Sequence, residues 1–273
     1  MITRNIPSTG EPIPAIGLGT WQKFDVGHSE SERKPLREVL KLMTAHSAKM
    51  IDTSPMYAKS EQVIGELTSE LDIADKFFYA TKVWITGRKE GIRQMTASMQ
   101  KLKRSQMDLM QVHNLVDWQT HLETLKQWKQ EGRIRYTGVT HYTASAHEQL
   151  EKIIISAKPD FVQFNYSIRE RNAEHRLLDT AKDNGVAVII NEPLEKGTLF
   201  SAVKGKPLPQ WAAEYSIHSW AQFFLKYILS HPAVTGIITG TGNPANMKDN
   251  LSAGIGMLPG EKTRAKMVEV MKE

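Results

Sequence analysis

Short apolar runs alternate with longer stretches whose apolar positions recur at helical spacing, and the alternation repeats along the chain. The short runs predict strands at "AIGLGT" (15–20), "KMIDT" (49–53), "FFYATKV" (77–83), "MDLMQVH" (107–113), "IRYTGVT" (134–140), "FVQFN" (161–165), "VAVII" (186–190) and "VTGII" (234–238). Helices are predicted near 33–47, 59–69, 88–104, 119–131, 144–156, 173–184 and 215–230. The first of these carries Leu36, Val39, Leu40 and Met43 on one face. Ahead of the first strand, Pro7-Ser8-Thr9-Gly10 reads as the turn of a small hairpin. At the far end, residues 257–273 read as one helix, and "KGKPLPQW" (204–211) as a loop over one rim.

Most of the strands are nearly continuous apolar runs, as parallel strands covered on both faces require. Eight strands, each followed by a helix or a helix-length gap, predict an α/β fold, a (β/α)8 barrel. A doubly wound open sheet is the alternative. The 273 residues match the length of such a barrel, and no linker or composition break divides them, so one domain over 1–273 is expected.

Composition narrows the function classes. The formal charge is +5, but Lys and Arg are scattered, so a solvated surface is expected rather than a nucleic-acid-binding stripe. Without Cys, thiol catalysis, disulfides and Cys-ligated zinc are excluded. No apolar run reaches the roughly 18 residues of a membrane helix. The start, "MITRNIPSTGEPIP", has no apolar leader. A cytoplasmic location is expected, a removed export signal being the alternative.

In a barrel of this kind the C-terminal strand ends face the active site. The second predicted strand brings Asp52 there, the third Lys82 and the fourth His113, with Tyr57 in the loop after the second. Taken singly, Asp52 could cap a helix, Tyr57 could pack and His113 could be a structural histidine. Lys82 is harder to dismiss, because "ATKVW" sets an ammonium among apolar residues, where it needs a partner. Together on one rim they make a coherent set. A phenol is a reluctant acid, with an ordinary pKa of about 10. An adjacent ammonium makes it a better one, a carboxylate can hold that ammonium, and a histidine can orient a carbonyl. The set suits protonation of a carbonyl oxygen as a hydride reaches the carbon.

The motifs "GLGTW" (17–21), "IDTSPMY" (51–57), "ATKVW" (80–84), "QVHN" (111–114), "GVTHY" (138–142), "VQFNYS" (162–167) and "GTGNPANMKDNL" (240–251) resemble, in order and spacing, the aldo-keto reductase family. The resemblance covers essentially the whole chain. It implies a barrel oxidoreductase that reduces aldehydes or ketones with a nicotinamide cofactor. Tyr57 would be the general acid, Asp52 and Lys82 would tune it, and His113 would orient the carbonyl.

The same resemblance assigns the cofactor to Gly19, Thr20, Trp21, Asp52, Thr140, His141, Gln163, Asn191, Leu194, Thr241, Asn246, Lys248 and Asn250. Thr140, His141 and Gln163 would hold the carboxamide. Asn191 stands where relatives place a stacking aromatic residue. Gly240 and Asn246 stand where relatives often carry basic residues for the adenosine 2′-phosphate. NADPH is the expected cofactor, with NADH the alternative, and Lys248 would supply the missing charge. Independently of the family, "TGTGNPAN" (239–246) reads as a turn with Asn243 at an N-cap and Pro244 at N1, whose free N–H groups would hold phosphate.

Trp21, Trp84 and Trp118 are expected to join His113 around a small-molecule carbonyl substrate, the alternative being that one or more of the tryptophans pack on the rim. Two other readings compete. One is a non-enzymatic nucleotide-binding subunit of the same fold, which a test for aldehyde turnover would separate. The other, a metal-dependent hydrolase, wants clustered ligands at strand ends, and only His113 and His141 qualify; no metal is expected. No membrane or nucleic-acid partner is expected, and oligomeric partners are left open.

Overall fold

The computed structural model describes residues 1–272. Strands β1 (Thr3–Asn5) and β2 (Pro12–Pro14) form the antiparallel hairpin. The barrel follows in chain order: β3 (Ile16–Gly19), α1 (Glu30–Ala45), β4 (Met50–Asp52), α2 (Ser60–Glu70), β5 (Phe78–Val83), α3 (Arg88–Lys101), β6 (Met107–His113) and α4 (Trp118–Gln130). The second half continues with β7 (Ile134–Thr140), α5 (His147–Ala157), β8 (Phe161–Asn165), α6 (Leu177–Asp183), β9 (Ala187–Asn191), α7 (Thr198–Ala202), α8 (Trp220–Leu229), β10 (Val234–Gly240), α9 (Pro244–Ser252) and α10 (Glu261–Val270). Strands β3 to β10 pair in parallel and close, with β10 beside β3. The open-sheet alternative is thereby excluded.

The strand sequences explain both the closure and the site. One face of each strand packs outward on the helices, in the larger core with Ile51, Tyr79, Val112, Val139, Val162 and Val188. The alternate positions point into the barrel. There Met50, Phe78, Leu109, Tyr136, Phe161, Ala187, Ile189 and Ile238 form a second core, sealed from below by Ile6 and Ile13 of the hairpin region. The same stripes turn polar towards the strands' C-terminal ends. Met50 gives way to Asp52, Phe78 and Ala80 to Lys82, Leu109 to Gln111 and His113, and Phe161 to Gln163. Apolar residues thus fill the bottom of the barrel, and chemistry is confined to the top.

The helices bury the faces that the periodicity predicts; α1 buries Leu36, Val39, Leu40 and Met43. The predicted helix at 215–230 is shorter than expected. A tight 3₁₀ turn occupies Gln210–Tyr215, and α8 starts afresh after Ser219, whose hydroxyl accepts from Gln222 N. That serine cap sets the boundary. The 3₁₀ turn also overlaps the end of the predicted 204–211 loop, which Trp220 fastens by donating from Nε1 to Lys206 O at 3.1 Å. Among the described residues no helix is long and apolar enough to cross a membrane.

Candidate active site

Barrel pairing sets the site residues side by side. Gly19 pairs with Asp52, Lys82 with Gln111, His113 with Thr140, Thr140 with Gln163, and Asn165 with Asn191. Asp52 and Lys82 meet in the interior, with side chains 2% and 1% exposed. Lys82 Nζ donates to Asp52 Oδ2 at 2.6 Å and to Thr53 O at 2.8 Å. The other carboxylate oxygen, Oδ1, accepts from Gln111 Nε2 at 3.2 Å and from Gln163 Nε2 at 3.0 Å. Gln163 Oε1 in turn accepts from Thr140 Oγ1 at 3.0 Å. A hydrogen-bonded belt therefore crosses β4, β5, β6, β7 and β8.

Tyr57 sits above this belt. Lys82 Nζ lies 5.2 Å from the centre of its ring, and the ring meets His113 edge-on at 5.8 Å. Burial pushes the phenol up, Lys82 pulls it down, and the balance stays above the ordinary value. For Lys82, burial works against the charge and Asp52 works for it; the net is upward, so the ammonium persists. Burial, with Lys82 and His141 adding to it, pushes His113 down to about 2. It is neutral at any working pH.

The His113 ring has a hydroxyl neighbour. Ser54 Oγ accepts from Met56 N at 3.3 Å and lies 3.0 Å from His113 Nδ1. The hydroxyl keeps its own proton to give, and when it gives it to Nδ1 the ring proton sits on Nε2. Ser54 was within the "IDTSPMY" motif, but nothing in the sequence marked it as the partner of a histidine 59 positions away. Gln111, also missed, had a signal: it is a polar residue within the apolar run "MDLMQVH", on the same strand face as His113.

The mouth is partly aromatic. Trp84 is 42% exposed and its ring centre lies 6.5 Å from that of His113. Trp21, 44% exposed, faces Lys196 Nζ at 5.7 Å, and Lys196 also approaches the Tyr142 ring at 5.9 Å. Trp118 is placed differently. It begins α4, half-buried against the outer core, and makes no ring contact with His113.

Thr20 is buried, and its hydroxyl donates to Asp52 O at 3.1 Å. His141 Nδ1 is taken by Thr143, and His141 O accepts from Asn191 Nδ2 at 3.3 Å. Asn191 Oδ1 is buried without a hydrogen-bond partner among the described residues. That orphaned acceptor at the end of β9 could take an amide N–H, and together with the Thr140 hydroxyl and the Gln163 amide across the barrel it makes a polar set that fits a carboxamide. Leu194 is half-buried against the core. Glu192 pairs with Lys196 at 3.1 Å, which offsets its charge.

Beyond β10, Thr241 and Asn250 are buried, while Asn246 and Lys248 are exposed. The N–H groups at the start of α9 are not all free: Asn243 Oδ1 accepts from Ala245 N at 2.8 Å and Asn246 N at 3.4 Å, and Asn243 N donates to Thr241 Oγ1 at 3.1 Å. The asparagine cap occupies the N–H groups of Ala245 and Asn246. A cavity of about 350 Å³ opens between the loops after β8 and β9, lined by Arg169, Glu170, Glu192, Glu195 and Lys196 among others. Among the described residues no three His, Asp or Glu side chains cluster as metal ligands.

The C-terminal rim of a closed parallel barrel thus carries a buried Lys–Asp pair under a tyrosine and a neutral histidine. The model of the Aldo/keto reductase family matches residues 15–263, and the chain belongs to that family. An aldo-keto reductase of Bacillus subtilis (strain 168), YhdN, is 27% identical over 71% of this chain; the match spans 62% of that protein's length. The NADH-specific methylglyoxal reductase of Escherichia coli (strain K12) is 23% identical, over 90% of this chain and 91% of its own. The crystal structure of an aldo-keto reductase from Klebsiella pneumoniae in complex with NADPH has a TM-score of 0.80 at 23% identity, covering 99% of this chain and 96% of that one. That last likeness concerns the fold. Membership of the family makes the chain an oxidoreductase that reduces carbonyl compounds with a nicotinamide nucleotide.

Proposed function

We propose that the chain reduces small aldehydes and ketones to alcohols, with Tyr57 giving the proton and NADPH preferred over NADH as hydride donor. One observation carries the proton-donor reading. An ammonium, itself held 2.6 Å from a buried carboxylate, lies 5.2 Å from the ring of the tyrosine that meets His113 edge-on. The nicotinamide nucleotide supplies the hydride when bound. Thr140, His141, Gln163 and Asn191 would hold its carboxamide; Gly19, Thr20, Trp21 and Leu194 would flank it; Thr241, Asn246, Lys248 and Asn250 would meet its adenosine end.

The chain's own residues do the rest. His113 donates from Nε2 to the substrate oxygen and fixes its position. As charge builds on that oxygen, the Tyr57 O–H bond breaks and the proton moves to it. Lys82 stabilises the phenolate that remains, and Asp52 keeps Lys82 in place. Trp21 and Trp84 give the substrate an apolar mouth. Relatives named for methylglyoxal reduction make 2-oxoaldehydes the first substrates to try.

Fluorescence titration with NADPH and NADH, followed by a panel of small aldehydes, tests the reading. Binding with turnover supports it. Tight nucleotide binding with no turnover of any aldehyde would favour the non-enzymatic subunit instead.

A further inference from the structure

Gln111 lies wholly inside the barrel, one layer below His113 on β6. Its Nε2 donates to Asp52 Oδ1, yet its Oε1 is buried and has no hydrogen-bond partner among the described residues. A residue selected for packing alone would not leave a carbonyl unpaired there, since an apolar side chain of the same shape avoids the problem. The amide cannot turn over to relieve it, because its oxygen would then face the Asp52 carboxylate. Room has also been made for it. A Cβ on Gly138 of β7 would stand 2.8 Å from Gln111 Cγ, so the neighbouring strand carries glycine where Gln111 passes.

We infer that Gln111 is a positioning residue for the proton donor: it holds Asp52 Oδ1 so that Oδ2 is presented to Lys82 beneath Tyr57. Its side-chain amide bonds to Asp52. It acts through Asp52, whose two oxygens are divided between Lys82 on one side and the Gln111 and Gln163 amides on the other. The charged and titratable groups around it are Asp52 on β4, Lys82 on β5, His113 on its own strand and Tyr57 above. The inference rests on the reading of Tyr57 as the acid.

The test is Gln111→Met, which keeps length and volume and removes both the donor and the orphaned carbonyl. Gln111→Glu serves as a second variant of the same shape. Steady-state reduction of a small aldehyde is followed across pH, with thermal melting to show that each variant is folded. Without the amide, the Asp52 charge is less well compensated and Lys82 less well aimed, so Tyr57 becomes a weaker acid. Turnover is expected to fall roughly 10- to 100-fold, with KM and nucleotide affinity unchanged and the alkaline limb of kcat moved to higher pH.

Wild-type turnover with an unmoved limb in both variants would overturn the inference. So would a fall in kcat matched by a change in KM with the limb in place, which is what a merely structural residue gives. Tyr57→Phe run alongside separates the two levels. If it keeps its turnover, the acid assignment fails and Gln111 fails with it; if it is inactive, the Gln111 variants decide.

Discussion

The Asp52–Lys82 centre and the loops after β9 and β10 share one rim, yet their charges are held in opposite ways. At the centre both side chains are almost fully buried, and each polar atom of the pair has a named partner. On the rim, Glu192 and Lys196 are 30% and 55% exposed, and Lys248 is exposed with no ion pair among the described residues. Water and salt weaken the second kind of interaction and barely reach the first. Chemistry should therefore depend sharply on single atoms at the centre, whereas cofactor preference should be soft and salt-sensitive.

The largest contrast should come from Lys82→Met. Turnover should collapse, because the phenol loses the charge that opposes its upward shift. Stranding Asp52 should also destabilise the fold by about 3–5 kcal/mol, read as a lower denaturation midpoint. Full activity at unchanged stability would put Lys82 in the same class as the rim.

Lys248→Ala addresses the other region. If this exposed cation meets the 2′-phosphate, NADPH should weaken far more than NADH. A lost charge-assisted bond of about 1.5–3 kcal/mol corresponds to a preference reduced roughly 10- to 150-fold. Rising salt should mimic part of the effect in the wild type. Unchanged affinities for both nucleotides would remove Lys248 from the site.

A smaller, graded effect is expected from acid. The folded-state value of His113, about 2, lies below the ordinary value of 6.5. Below about pH 6.5 the unfolded chain takes up a proton that the folded chain refuses. This contribution to stability is whole above that pH and drains away as the pH falls, by up to about 1.4 kcal/mol per pH unit. His141, His147 and His231 are shifted in the same direction. Melting temperature should decline from about pH 6.5 downward, and less steeply in His113→Asn. Turnover, in contrast, should be level over the neutral range, because His113 stays neutral and Tyr57 stays protonated.

The smallest effect belongs to Lys196→Met, which takes a cation from between Trp21 and Tyr142 and from Glu192. Stability should change by less than about 1 kcal/mol. A large drop in the denaturation midpoint would mean that the rim is built as tightly as the centre.

The same contrast decides what could be read from the sequence. A lysine or an aspartate in an apolar strand is conspicuous, since burial without a partner is so unfavourable, and strand spacing alone set Asp52, Lys82 and His113 on one rim. The parity of each strand also carried the inward stripes, apolar below and polar above, and Gln111 was legible in that parity though overlooked. Ser54 was not, because its partner is fixed by how two strand ends approach in space. The rim was hardest to read. Whether Asn243 leaves its helix N–H groups free, or Glu192 finds a cation, depends on local bonds made by loop side chains. The start of α8 was misjudged for a related reason: a capping hydroxyl at Ser219 outweighed the apolar periodicity running through it.

Tyr57→Phe tests the central claim most directly, because it removes one oxygen and leaves the ring against His113 and Lys82. Nucleotide affinity, measured by fluorescence titration, and single-turnover reduction of a small aldehyde are compared with the wild type. Affinity should be nearly unchanged and the rate should fall by roughly 10²- to 10⁴-fold, the usual contribution of a positioned general acid. A rate within a few-fold of the wild type at the same affinity would contradict the account, since the proton would then reach the carbonyl oxygen without Tyr57.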